Sequence, residues 1–372
     1  MAVPSFGAVT TMPSEENDEP AAAGGDKNMV HNKQGIDMLH GRIWTKVLRF
    51  ALPVAATGIL EQLFNASGIM IVGNFSQSDG TAAVAAVGSN APVTGLILNL
   101  FIGIALGANV VIANAIGRGS REAVRNAVHT SIVTALIGGV IVAIIGELLA
   151  GPLLGMLNVT ADVFPLALAY LRIYLIGMPV ILLYNFETAI FRSIGDTQAP
   201  LAVLAISGVL NVTMGLIFVV LFHWGVSGVA TATVIANVVS SMILLYRLVH
   251  TDAAIHVDLR EFGIDWFTLR QILRIGLPAG VQSAVFAVAN IIIQAAINSL
   301  GTVVMAASSA AFNIEIIAYY VLNSFSQACA TFNRAKLWSQ TDRTLQARAW
   351  HLHSGGFHRH RGHHRRRAVL RP

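Results

Sequence analysis

Residues 131–150 read SIVTALIGGVIVAIIGELLA, twenty positions with one charge, Glu147, near the end. At 1.5 Å per residue such a run makes a helix about 30 Å long, the thickness of a bilayer's hydrocarbon core. Backbone groups in lipid have no water to bond, so an uncharged run of this length has to close its hydrogen bonds along a helix. A lipid-facing barrel strand would be half as long and would alternate with polar positions. This stretch belongs to a run near 129–150, and comparable runs lie near 47–73, 84–116, 164–190, 200–222, 226–248, 275–299 and 304–332, which makes eight transmembrane candidates. The 372 residues are 55% hydrophobic and 12% charged, with a mean hydropathy of +0.65. Soluble domains carry roughly 25% charged residues, so an ordinary soluble enzyme is excluded.

Basic residues orient the spans. Lys46 and Arg49 precede the first, Arg118, Arg121 and Arg125 lie between the second and third, Arg192 follows the fourth, and Arg247, Arg260, Arg270 and Arg274 bracket the connection from the sixth to the seventh. The alternate connections, near 74–83, 151–163, 223–225 and 300–303, hold no Lys or Arg. This places the N-terminus in the cytoplasm and the chain as a multi-pass protein of the inner or plasma membrane. Residues 1–43 are polar and acidic without an apolar core, so they read as a disordered cytoplasmic leader and not as a signal peptide. The lone Cys329 excludes a disulfide framework and a cysteine-built zinc site, and neither a metal nor a cofactor is expected.

The start of the chain's apolar part recurs. Lys46–Pro53 (KVLRFALP) matches Gln271–Pro278 (QILRIGLP) at a spacing of 225, and Asn65 matches Asn290 at the same spacing. After a four-residue gap the match resumes at 221, with Gly80-Thr81 opposite Gly301-Thr302 and Ala85-Ala86 opposite Ala306-Ala307. Both copies start on one side of the membrane with six spans between them, so the repeat is parallel, as in some transporters. The expected fold is all-α and polytopic, one complete six-helix bundle plus the first two helices of a second. The expected domains are a first bundle over 44–250, a cytoplasmic linker over 251–274, two second-bundle helices over 275–332 and a basic tail over 333–372. That tail holds ten Lys or Arg and six His against one acid, Asp342, and has no run of membrane length. It reads as the product of a frameshift or truncation after the eighth helix; the other reading is a polybasic lipid-binding or His-rich metal-binding segment.

Polar residues deep in apolar spans are functional candidates by default. Glu61, Asn65 and Gly68 share one face of the first span, at spacings of four and seven. Arg172 in the fourth span is a conceivable partner for Glu61. Glu147, Arg172 and Glu187 lie close enough to span ends to snorkel, whereas Glu315 sits well inside the eighth. Asn99, Asn185, Asn211, Asn237 and Asn290 are cavity lining or interhelical glue. Pro53 and Pro278 either kink their helices or start them, and the residues before Pro53 favour a kink. Gly103 and Gly107 form a small-xxx-small pair suited to close packing.

Phe191–Pro200 (FRSIGDTQAP) resembles the Arg-x-x-Gly-Asp-Thr-x-x-Pro signature of the multidrug and toxic compound extrusion (MATE) family, and it follows the fourth span as it does there. Gly41–Pro53, IVGNF ahead of Thr81–Gly88, Tyr170–Pro179, and LNV followed by Trp224–Ala236 extend the likeness over about residues 41–332. The resemblance implies two six-helix bundles about a pseudo-twofold axis, and export of organic cations or amphiphilic drugs in exchange for H+ or Na+. In the signature, Gly195 serves an unusual backbone angle, Asp196 and Thr197 cap the next helix, Pro200 lies near its first turn, and Arg192 marks the cytoplasmic side. Where many relatives carry coupling carboxylates this chain has Gly68, Gly215 and Phe286, which leaves Glu61, with Asn65 and Asn211, as the coupling-ion candidates. Pro53, Phe64, Gly68, Asn99, Asn185 and Gly215 are the cavity candidates, with Asn290 and Glu315 their second-bundle counterparts. The expected partners are the bilayer, a small cationic or amphiphilic substrate and the coupling ion, without nucleic acid. A lipid-linked oligosaccharide flippase of the related superfamily, or a membrane remnant or adaptor without transport, are the alternatives. No catalytic constellation is present, so an enzyme is not expected.

Overall fold

The computed structural model of the chain describes residues 43–76, 80–157, 159–258, 263–298, 315, 318–329 and 331. Eight helices follow in order: α1 (Ile43–Phe75), α2 (Gly80–Gly117), α3 (Arg121–Met156), α4 (Phe164–Ile176), α5 (Met178–Ser193), α6 (Gln198–Leu216), α7 (Gly225–Val249) and α8 (Trp266–Asn298). Residues 318–329 are also helical, and no strand occurs among the described residues. Six helices are long and apolar enough to cross a membrane, and α4 with α5 forms a seventh candidate bent by 53°. The break falls at Gly177, where a Cβ would collide with the side chain of Val234 on α7. The leader, the tail and most of the eighth candidate span, 304–332, lie outside the described residues.

α1 begins at Ile43 and runs through Pro53, so this proline is interior and does not start the helix. It leaves the preceding turn one bond short, and the Thr57 hydroxyl donates to the Pro53 carbonyl at 2.8 Å. At the other end of the first bundle, α6 widens into a π-helical turn at Ile217–Leu221, capped by a stack of Phe218 on Trp224 with centroids 5.0 Å apart. Helices α1 to α7 close on one another: α1 on α6, α6 on α7, α7 on α4 and α5, α5 on α2 and α3. The chain between Thr251 and Asp265 is tied to the same bundle. Ala253, Ile255 and Val257 enter its core, the Asp258 amide donates to His129 Nε2 at 3.2 Å, and the Asp265 amide donates to Thr130 Oγ1 at 3.1 Å. Asp265 then caps α8, accepting from the Thr268 amide and hydroxyl; the bond from that hydroxyl is the main reason its carboxyl lies below the usual carboxylate range.

The most extensive helix contact among the described elements is α2 on α8. Gly103 and Gly107 meet Gly276 and Gly280, a second small-xxx-small pair that flanks Pro278. A Cβ on Gly276 would stand 2.6 Å from the Ile104 Cα, one on Gly107 would stand 2.7 Å from the Gly276 amide nitrogen, and one on Gly103 would fall onto the Gly280 backbone. In the repeat register these positions correspond to Ser324 and Ala328, and to Ala51 and Ala55. Of these, Ala51 and Ala328 share one cluster with Val47, Phe50 and Val54 of α1 and with Phe325, and Ser324 is buried. α1 thus packs on the helical residues 318–329 as α8 packs on α2.

Gly107→Val should separate α2 from α8 and cost about 1–3 kcal/mol or more. Gly151→Ala, where a Cβ meets nothing within 4 Å, should be neutral or stabilising by about 0.5–1 kcal/mol. Thermal unfolding of the two purified variants in detergent checks the contrast.

Candidate functional site

Glu61 lies near mid-length of α1 with its side chain exposed. Three other elements supply the groups within electrostatic reach of its carboxylate: Tyr174 from α4, Tyr184 and Arg192 from α5, and Tyr320 from the helical residues 318–329. The Arg192 guanidinium also crosses between the halves, its NH1 donating to Gln327 Oε1 at 3.1 Å, while its Nε is buried without a partner. Tyr320 interacts with Gln62, and its ring fills the space that a Cβ at Gly58 would need. Tyr170 stacks on Tyr174, with centroids 6.1 Å apart and planes 13° apart. The result is a cluster of one acid, one cation and three tyrosines around the exposed Glu61, here called the niche. It is held by Asn109, which donates to the Ala189 carbonyl of α5 and accepts from the Thr331 hydroxyl, each at 3.0 Å.

Most of the other candidate residues do not enter this niche. Asn65 is exposed one turn beyond Glu61, and Asn211 accepts from Thr233 Oγ1 of α7 at 3.5 Å. Asn99 and Asn185 donate to carbonyls in their own helices, of Gly95 and Ile181, both at 2.8 Å. The Phe64 ring is pressed onto α6 where Gly208 leaves room for it, so Phe64 packs between helices and does not line an opening. Cβ atoms at Gly68 and Gly215 would face Val229, at 3.1 Å, and Ile71, at 3.4 Å; both sites look onto apolar side chains. Asn290 and Glu315 are exposed, and no hydrogen bond joins either to the niche among the described residues.

Three expectations are corrected. Arg172 does not partner Glu61: it pairs with Glu147 at 3.3 Å, and the cation near Glu61 is Arg192. Glu187 does not snorkel. It is 0% exposed, and its two carboxyl oxygens have no hydrogen-bond partner. In the signature turn Gly195 does take a positive φ of 82°, but only one of the two capping residues caps. Asp196 Oδ1 accepts from the Gln198 and Ala199 amides at 3.1 and 3.0 Å, whereas the buried Thr197 hydroxyl has no partner.

The MatE family matches residues 53–217. The chain is 25% identical over 285 residues to the probable multidrug resistance protein YpnP of Bacillus subtilis (strain 168), covering 76% of this chain and 62% of that protein. It is 26% identical over 301 residues to the probable multidrug resistance protein NorM of Thermotoga maritima, covering 77% and 61%. An outward-facing structure of a multidrug resistance MATE family transporter of the MOP superfamily superposes with a TM-score of 0.76 at 25% identity, over 86% of this chain and 70% of that one. Residues 53–217 of this chain match the MATE family, and the likeness to its members runs beyond them. The chain spans about three fifths of the length of the curated relatives it matches. Within this chain, sequence reasoning misses the tyrosines and the pairing of Arg192. The signal is nonetheless present, because Tyr184, Thr188 and Arg192 recur every four residues and so form one stripe of α5.

Burial raises the Asp196 carboxyl above its usual range, against the opposing effect of the two amide bonds and of Arg247. A folded-state value above the unfolded one means that its contribution is fully present below the unfolded pKa and is lost as pH rises through the folded value. Asp196→Asn keeps the accepting oxygen and should remove this pH-dependent loss, whereas Asp196→Ala should cost about 1 kcal/mol at every pH. Unfolding midpoints measured from acid to neutral pH in the two variants check the difference.

Proposed function

We propose that this chain forms the substrate- and ion-handling part of a secondary active exporter of organic cations or amphiphilic drugs, driven by H+ or Na+ moving the other way. The observation that carries this is the set of three tyrosines around the exposed carboxylate of Glu61. A carboxylate with aromatic faces suits a delocalised organic cation, which gains charge attraction and ring contact with little oriented hydrogen bonding. The same carboxylate accepts a coupling ion, with Asn65 beside it and Asn211 on the neighbouring helix, so ion and substrate exclude one another at one group. Pro53, Gly68, Asn99, Asn185 and Gly215 shape the surrounding helices, and Phe64 holds α1 on α6. The N-terminus faces the cytoplasm in the inner membrane, in line with the distribution of Lys and Arg.

Alternating access requires two bundles to rock against each other. With three fifths of its relatives' length, this chain alone binds substrate without completing a cycle. A flippase handling pyrophosphate wants several free basic residues in the cavity, and Arg172 is already engaged by Glu147. No enzymatic role is assigned.

The test is binding of ethidium, a cationic dye, to the purified chain by fluorescence anisotropy. Glu61→Gln should weaken binding about tenfold, equivalent to about 1.4 kcal/mol, and acidification should weaken it in the wild type but not in the variant. Liposomes containing only this chain should show no gradient-driven dye movement. Unchanged affinity in Glu61→Gln refutes the assignment of the niche.

A further inference from the structure

Glu187 stands apart from the niche and is the least explained charge-bearing side chain in the described structure. It sits on α5 at 0% exposure, and both carboxyl oxygens lack a hydrogen bond. Leaving an ionised carboxylate in such a place is among the costliest arrangements a protein can hold. Among the described residues no cation pairs with it. Of the helices packed on α5, α2 and α6 contain no ionisable side chain; α3 carries Arg121, Glu122, Arg125, His129 and Glu147, α4 carries Tyr170, Arg172 and Tyr174, and α7 carries Tyr246 and Arg247, none of them in an ion pair with Glu187. What surrounds it instead is hydroxyls. Ser241 of α7 faces the carboxyl without a well-formed bond. Tyr184 and Thr188, each 5% exposed, are adjacent on α5, and both of their oxygens are unsatisfied. Tyr184 is within electrostatic reach of Glu187 on one side and of Glu61 and Arg192 on the other.

Buried polar groups are nearly always hydrogen-bonded. Four orphaned oxygens next to one another, on Tyr184, Glu187 and Thr188, therefore need a common explanation. We propose that Glu187 is a second, internal proton-binding site of the first bundle, and that the Tyr184 and Thr188 hydroxyls relay its proton to and from the open niche at Glu61. In the transfer, a Glu187 O–H bond breaks as the proton passes to a hydroxyl oxygen, and that hydroxyl's own proton passes on to the Glu61 carboxylate. One O–H forms for each that breaks, and the negative charge moves inward from Glu61 to Glu187. The Ser241 and Thr188 hydroxyls rotate to donate to the carboxylate so formed. The assignment rests on the burial of Glu187 and not on the export reading, and it is tested without transport.

Infrared spectroscopy of the full chain in lipid vesicles at neutral pH reads it directly. A protonated-carboxyl C=O band should be present, disappear in Glu187→Gln and survive in Glu61→Gln. On transfer to D2O the band should shift, and the shift should slow by about 100-fold in Tyr184→Phe or Thr188→Val, the scale on which a positioned proton carrier acts. Should Glu187→Gln fail to fold, Ser241→Ala supplies the assignment, because losing the facing hydroxyl should displace the same band. A band that persists in Glu187→Gln, or is unmoved by Ser241→Ala, refutes the buried acid; deuterium exchange at the wild-type rate in both hydroxyl variants refutes the relay.

Discussion

Two helices reach backbone contact only where both lack a Cβ at the crossing. Gly103 and Gly107 on α2 and Gly276 and Gly280 on α8 meet this condition together, and the second half of the chain is hung from the first at that crossing. The arrangement of the niche depends on it. With α8 drawn onto α2, and residues 318–329 drawn onto α1 at Ala51 and Ala328, Gln327 comes within reach of Arg192 and Tyr320 within reach of Glu61. In lipid there is no hydrophobic force to press apolar helices together, so this approach relies on close packing and on a few buried bonds such as Asn109 to Ala189 and to Thr331.

Five of the ionisable side chains inside the spans fall into three kinds by the way each is satisfied. Glu147 and Arg172 neutralise one another while remaining partly exposed. Glu61 and Arg192 interact across a niche that stays open, one of them bridging to the other half. Glu187 has neither exposure nor a partner. Only the first kind is accounted for by stability, because a pair of that sort satisfies itself and asks nothing of the surroundings. The other two place polar chemistry where a purely structural membrane helix would have leucine.

Helix content, membrane spans and family were legible in the sequence because apolar run length and the Phe191–Pro200 turn are local properties. The repeat at Leu48, Arg49 and Pro53 was equally legible, since it needs only comparison of the chain with itself. Partners were not. Arg172 and Arg192 are both arginines near a run's edge, and nothing in their neighbours along the chain says which one turns toward Glu61. That is decided by the bend at Gly177, which tilts α5 relative to α4. Likewise, Asn109 and Asn185 look alike as isolated amides in apolar runs, yet the first joins three segments and the second satisfies itself within its own helix. The Gly276 and Gly280 pair was hidden by the proline between them, which draws attention to bending and away from contact.

The way the linker is fastened bears on mechanics. The amides of Asp258 and Asp265 are bonded to His129 and Thr130 of α3, Ile272 of α8 is buried in the same core, and the glycine crossing follows. Beyond it, Val281–Asn298 continues for about 27 Å at the helical rise per residue. A tilt of about 10° at the crossing would carry the tip about 5 Å by the same geometry. The glycines are therefore the fulcrum and the linker the clamp. Small adjustments at one point of backbone contact become large displacements at the far membrane face, with little deformation asked of the loop between the halves.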